Sequence, residues 1–236
     1  MPLDLSARVR RPELMDDSAL DPELHHHALR ALERCNRISL VRRLVWPPIA
    51  ALARRRQDRP LTVLDVACGA GDLAIGLVRR SRASGLALDV HGCDISPTAV
   101  DHARRRAQQL GADVHFVRHD VHDGSLPGAY DIVTCSLFLH HLEPDEAIRL
   151  LAAMAVAARS LVVVTDLDRS LVGWATAWLG TRLLTRSPVV HVDGPRSVRA
   201  AWSIPETRAL AADAGLSGAV VTRHWPSRWR AVWSAR

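Results

Sequence analysis

The chain has 236 residues, of which 48% are hydrophobic and 24% charged. That is enough for one well-packed core with an appended segment, too few for two full domains, and unlike a disordered or fibrous chain. The net charge of +6 would suit nucleic acid, but the chain has no lysine and its arginines are scattered, so no basic groove and no nucleic-acid partner are expected.

Residues 1–59 read as a helical extension. Pro12, Asp16, Asp17, Asp21 and Pro22 punctuate it, and apolar residues recur at helical spacing through Leu24, Ala28, Leu29, Leu32, Ile38, Leu40, Leu44 and Val45. Trp46-Pro47-Pro48 is expected to end or kink that run. Consecutive helical residues point in different directions, so His25-His26-His27 reads as a solvated face, and no metal is expected there.

The next stretch, Val63 to Leu77, reads VLDVACGAGDLAIGL. It is an apolar strand, a glycine turn and the start of an amphipathic helix, the opening of a doubly wound α/β sheet. Gly69 and Gly71 allow a sharp turn and a close approach to a ligand. The loose dinucleotide fingerprint fits these glycines too, so they leave the cofactor open. The acids are more selective: Asp72 at a helix start, with Asp65 below it, would repel a pyrophosphate. S-adenosylmethionine, with an ammonium, a sulfonium and no phosphate, has the opposite demands.

The stretch DVACGAGD resembles motif I of the class I S-adenosylmethionine-dependent methyltransferases of the small-molecule type. The resemblance implies a Rossmann-like doubly wound α/β sheet with strand order 3-2-1-4-5-7-6, strand 7 antiparallel, and an N-terminal helical lid. It divides the chain into a lid, 1–59, and a core, 60–236, with a substrate-covering insert at about 169–204. Asp65, Ala67, Gly69 and Gly71 fall on cofactor-binding positions, and Arg37 in the lid would pair with the cofactor's methionine carboxylate.

The later landmarks come in order. Leu86–Cys93 is a second strand ending in Asp94, placed for ribose hydroxyls, with Ile95 beside the adenine. Ser96 caps a helix that Pro97 opens and Gly111 stops. Val114–Val117 is a third strand; after it, Asp120 matches the family's acid that accepts from the adenine amino group, and Val121 lies beside the ring. Tyr130–Cys135 is strand four, with Asp131 in a structural position, and Ser136 leaves its carboxyl end beside the cofactor. Pro144 begins a helix ending near Arg159, and Leu161–Thr165 is a fifth strand. Leu171–Leu184 is too short to span a bilayer and reads as a helix over the sheet's edge or a wall for a greasy acceptor. His191–Trp202 reads as a loop across the cleft's mouth. Glu206–Ala214 is the last helix, and Ala219–Thr222 and Trp229–Trp233 form an antiparallel pair.

The place for chemistry is the exit of strand four, where open α/β sheets bind ligands. His140 and His141 stand there, and His191 stands in the insert; each is a candidate general base, because an imidazole accepts a proton near neutral pH. The Asn/Asp-Pro-Pro-aromatic run of base-amine methylases is absent. Asp166 and Asp168 lack the Asp-Asn pair that a catechol-methylase magnesium site requires, so no metal is expected. The residues Glu13–Asp17, the Trp46-Pro47-Pro48 turn and the block His191–Arg199 look similar to bacterial methyltransferases associated with type III polyketide and phenolic-lipid pathways. That implies O-methylation of a phenol or enol on a small, apolar or aromatic acceptor. The rivals are N-, C- or carboxyl methylation, nucleic-acid methylation, a nicotinamide oxidoreductase and a non-catalytic partner protein. Cys35, Cys68, Cys93 and Cys135 are isolated, and Cys68, Cys93 and Cys135, in or beside strands, are expected in core packing; with no C-x-x-C pair and no secretory signal, a cytoplasmic protein is expected.

Overall fold

The computed structural model describes residues 4–16, 19–21, 23–24, 27–28, 30–31, 34–35 and 40–235. His25, His26, Asn36 and the candidate cofactor residue Arg37 lie outside the described residues. Strands β1 (Leu61–Val66), β2 (Leu88–Asp94), β3 (Val114–Arg118), β4 (Tyr130–Ser136), β5 (Ala158–Leu167), β6 (Val220–His224) and β7 (Arg228–Ser234) form one sheet. Its order is β3-β2-β1-β4-β5-β7-β6. β3, β2, β1, β4 and β5 pair in parallel, and β7 runs antiparallel to both β5 and β6. This is the topology that the resemblance implied.

Alternation along the strands builds a core on each face. On one face Leu64 and Val66 of β1 join Val133 and Cys135 of β4 and Val162 and Val164 of β5. They meet α4 (Pro144–Ala157) and α7 (Ile204–Asp213) through Leu150, Met154 and Leu210. On the other face Leu61 and Val63 meet α1 (Val41–Arg55), α2 (Asp72–Ala83) and α3 (Pro97–Gln109) through Ile49, Leu77 and Val100. Cys93 and Cys135 are buried, free thiols of the first core.

Three expectations need correction. α1 does not end at Trp46-Pro47-Pro48 but runs through both prolines to Arg55. Pro48 has no N–H for the carbonyl of Leu44 one turn earlier, and Arg230 Nη1 donates to that oxygen instead, at 3.1 Å. The break comes earlier, at Leu40, whose φ of 61° starts α1 from a left-handed residue. α1 therefore belongs to the helical layer of the sheet. Second, His191–Trp202 is not a loop: Pro188–Ala200 is a helix, α6, capped by Ser187. Gly194 gave it a loop-like sequence, yet a Cβ there would lie 2.7 Å from Thr181 Cγ2 of α5 (Leu171–Leu184). The glycine lets two helices cross closely. Third, α4 stops at Ala157, and β5 starts at Ala158, earlier than its apolar run suggests.

α5 starts where β5 ends. It buries Gly173 and Thr181, while Leu171, Val172, Trp178, Leu179 and Leu183 stay exposed. Asp131 is structural: Arg59 holds both its oxygens at 2.7 Å. That pairing and the donors of Thr62 outweigh burial and bring its carboxyl down to about 2. No helix among the described residues is long and apolar enough to cross a membrane.

Candidate active site

The register sets the carboxyl ends of three strands level, Val66 facing Cys93 on one side and Cys135 on the other. Above them β1 turns into α2 through three left-handed residues, Ala67 (φ 52°), Gly69 (φ 51°) and Gly71 (φ 75°). Left-handed geometry costs a residue with a Cβ about 1–2 kcal/mol, so Ala67 records local strain at this turn. Gly71 is glycine for a second reason: a Cβ would fall 2.7 Å from Phe116 Cζ of β3. Around Gly69 there is open space, with no heavy atom within 4 Å of where its Cβ would stand.

Asp94 at the end of β2 organises the turn. Gly69 N–H donates to its Oδ2 at 2.8 Å and Ser96 N–H to its Oδ1 at 2.9 Å. Ile95, next to it, leaves its apolar side chain 49% exposed. Asp65 is buried under the turn and accepts from Thr134 Oγ1 at 3.1 Å. Burial pushes its carboxyl up to about 7, against the hydroxyl of Thr134 and the N–H of Ala74, with the charges of Asp94 and Asp72 adding to the rise. Asp72 itself is ion-paired with Arg106 of α3. Its charge is therefore partly neutralised, which weakens the repulsion of a pyrophosphate that the sequence assigned to Asp72 together with Asp65.

Asp120 accepts the N–H of His122 at 2.9 Å, and Val121 is buried below it. The loop returns to Asp94, whose carbonyl accepts from His119 N–H at 3.0 Å. Ser136 ends β4 half-buried, followed by Leu137 at φ 56°, so the exits of β1 and β4 both carry a left-handed non-glycine residue. An open-sided glycine turn, an acid holding it and an exposed apolar neighbour fit a cationic adenosyl ligand. Asp65, Ala67, Gly69, Gly71, Asp94 and Ile95 meet on this edge, and Asp120, Val121 and Ser136 stand on the neighbouring strand exits.

Beyond β4 a single 3-10 turn, Leu139–His141, carries the two histidines. His140 is buried, with its Nδ1 2.8 Å from Asp166 Oδ1 and its backbone N–H donating to Oδ2 at 3.0 Å. Burial alone would raise the Asp166 carboxyl, but the charge and N–H groups of His140, with the N–H of Leu167, outweigh it and hold the group below its usual range. An ionised carboxylate only accepts, so Nδ1 carries a proton toward it. Nε2 lies 3.7 Å from Glu13 Oε1. The His141 ring stacks at 4.2 Å from that of His140 and at 5.9 Å from Phe138. His191 is not drawn to this pair by its described ring contact: Nε2 donates at 2.8 Å to the carbonyl of Thr185, the C-cap of α5.

The sequence did not single out what closes this end of the site. Residues 4–16 run over it as an arm. Arg8 donates to the carbonyls of His140 at 2.9 Å and Leu142 at 2.7 Å, and its guanidinium lies 3.8 Å from the centre of the Trp202 ring. Arg10 donates to the His141 carbonyl at 2.6 Å. The N–H groups of Leu14 and Met15 donate to Asp193 of α6 at 2.9 and 3.1 Å. On β7, Arg228 stands opposite Leu167, the last residue of β5. It is buried, and its Nε and Nη1 have no hydrogen-bond partner among the described residues.

The topology, the glycine turn and the acid at the end of β2 define a class I methyltransferase fold. Residues 63–161 match the family described as "Methyltransferase domain". Among curated relatives, it is 30% identical over 126 residues to the ubiquinone biosynthesis O-methyltransferase of Pectobacterium carotovorum subsp. carotovorum, covering 52% of this chain and 50% of that protein. The corresponding protein of Shewanella pealeana is 27% identical over 140 residues, covering 58% and 57%. The chain thus spans about half the length of the curated relatives it matches. Among solved structures, the plantazolicin methyltransferase BpumL with a triazolic desmethylPZN analog and SAH superposes with a TM-score of 0.66 at 15% identity, covering 92% of each chain. Magnesium protoporphyrin IX methyltransferase from Synechocystis PCC 6803 with bound SAH gives 0.56 at 19%, covering 94% of this chain and 91% of that one.

Proposed function

We propose that the protein transfers a methyl group from S-adenosylmethionine to an oxygen of a small acceptor, a phenol or enol of aromatic or polyketide-like character. The observation that carries this reading is the placing of the Asp166–His140 pair, joined at 2.8 Å, at the exit of β4, one strand from the Gly69–Asp94 cradle. S-adenosylmethionine supplies an electrophilic methyl on a sulfonium. Gly69 and Gly71 admit it close to the backbone, Asp94 takes its ribose hydroxyls, Asp65 faces its positive charge, and Ile95, Asp120 and Val121 receive the adenine. Ser136 lines the cofactor's edge, and Arg37 receives the methionine carboxylate. The arm and the segment before α1 act as the lid, and α5 and α6, within 169–204, cover the acceptor. His140 and His141 form the wall against which the acceptor oxygen lies, so that donor and acceptor are held in line away from water. His191, bound to the end of α5, lines the mouth.

The names of the matched relatives support oxygen as the atom methylated, and the exposed apolar side of α5 supports a greasy acceptor. The reading includes a cytoplasmic enzyme that takes no nucleic acid. One observation favours a narrower acceptor: the two unpartnered N–H groups of Arg228 would suit a carboxylate on the acceptor, beside the methylated oxygen or as the methylated group itself. Titration calorimetry with S-adenosylhomocysteine, with NAD as control, tests the cofactor. A panel of phenols with and without a carboxylate then tests the acceptor. Binding of NAD in preference to S-adenosylhomocysteine would overturn the reading.

A further inference from the structure

Glu13, His140 and His141 come from the arm and from the turn after β4, and their ligand atoms all lie within 4.8 Å of one another. His140 Nε2 and Glu13 Oε1 are 3.7 Å apart. In a tetrahedral zinc site with bonds of about 2.0–2.2 Å, neighbouring ligand atoms stand about 3.4 Å apart. A closure of roughly an ångström would therefore seat an ion.

Each of two members is also held from behind. Asp166 accepts from His140 Nδ1, which fixes the ring and turns Nε2 toward Glu13. The Ser197 hydroxyl donates to the Glu13 carboxylate. A carboxylate behind a histidine is the support that metal-binding imidazoles use. Glu13 does not need an ion to stay in place, because Asp193 holds Leu14 and Met15 while Arg8 and Arg10 hold the turn. The side chains of Glu13 and His140 are only 15% and 5% exposed, and the half-buried His141 offers the way in.

We propose that Glu13, His140 and His141 bind a divalent transition-metal ion of the zinc class. Two imidazoles and one carboxylate suit that class, whereas magnesium and calcium prefer an all-oxygen shell. Three protein ligands leave a position for a water or an acceptor oxygen, and a hydroxyl bound there loses its proton more easily. The ion site stands on these side chains alone. Only its use on the acceptor rests on the methyl-transfer reading.

The test uses the full chain with His25, His26 and His27 changed to Ala, so that the consecutive histidines do not compete. After chelation and dialysis it is titrated with cobalt(II) chloride, read by the ligand-field absorption of bound cobalt and reversed by zinc chloride. One bound ion is expected, with Glu13→Gln and His141→Ala each weakening binding about 10-fold or more. S-adenosylhomocysteine binding to the same samples reports that the variants are folded. No cobalt binding by the parent, or binding by both variants as tight as the parent's, would overturn the site. If S-adenosylhomocysteine binds and cobalt does not, the ion site falls and the methyltransferase reading stands. The reverse result would uphold the ion site and sink that reading.

Discussion

Asp94 and Gly69 are joined by a hydrogen bond of 2.8 Å from the glycine N–H to Oδ2 of the acid, which ties the end of β2 to the turn after β1. The same carboxylate holds Ser96, the cap of α3. An acid assigned to ribose hydroxyls therefore also shapes the turn that the cofactor approaches.

Asp94→Ala should abolish both tasks at once. Two hydrogen bonds to a charged group contribute about 1.5–3 kcal/mol each, so S-adenosylhomocysteine affinity should fall by a factor on the order of 100 or more. Calorimetric titration of a variant shown by circular dichroism to be folded checks this. A change under about 5-fold, far below what losing one such bond implies, would remove Asp94 from the cofactor site.

Asp65 makes cofactor binding depend on pH. Its carboxyl titrates at about 7 in the folded protein, raised by burial. A nearby positive charge favours the ionised form, so binding should release a proton around neutrality, and affinity should rise as pH rises through about 7. The sign for folding is the opposite: a carboxyl raised in the folded state stabilises it at low pH, and that contribution is lost as pH rises toward 7. Calorimetry in buffers of different ionisation enthalpy reads the released proton directly. Asp65→Asn should remove the buffer dependence, and a parent enthalpy identical in every buffer would contradict the assignment.

The carbonyl of Leu44 offers a thermodynamic cycle. Arg230 donates to it where Pro48 does not. Arg230→Met should leave that part-buried oxygen unsatisfied and cost about 1–3 kcal/mol. Pro48→Ala supplies an N–H one turn along, so the same arginine change made on that background should cost less. Chemical denaturation of the four proteins gives the coupling, expected at about 0.5–2 kcal/mol. Equal costs on both backgrounds would show that the guanidinium is not standing in for the helix bond.

Much of the sheet was legible because its strands are buried on both faces and bounded by turns, so Val63–Val66 or Tyr130–Cys135 had few other states open to them. The glycine turn was legible for a related reason: Gly69, Gly71 and Asp94 have narrow conformational or chemical reasons to be where they are. The partners of His140 were not. Glu13 and Arg8 sit in an arm without periodicity, and only the folded chain brings them to the turn after β4. α6 was misread because Gly194 and Pro195 are breakers in isolation. Tertiary contact overrode them, since the crossing of α5 requires a residue without a Cβ.

That crossing gives the last prediction. Gly194→Ala would set a Cβ 2.7 Å from Thr181 Cγ2, closer than two carbons can approach. Thr181 is buried and β-branched, so it has little rotamer freedom with which to yield. The substitution gains up to about 1 kcal/mol in helix propensity but should lose about 1–3 kcal/mol to overpacking. The clash wins, and the variant should be less stable than the parent. Thr181→Ser removes the offending methyl and keeps the hydroxyl that donates to the Trp178 carbonyl. On that background Gly194→Ala should become neutral or stabilising, because only the propensity gain is left. Thermal denaturation of the two single variants and the double variant decides it. If Gly194→Ala destabilises equally with Ser or Thr at 181, the glycine is there for another reason and the close crossing does not set the residue.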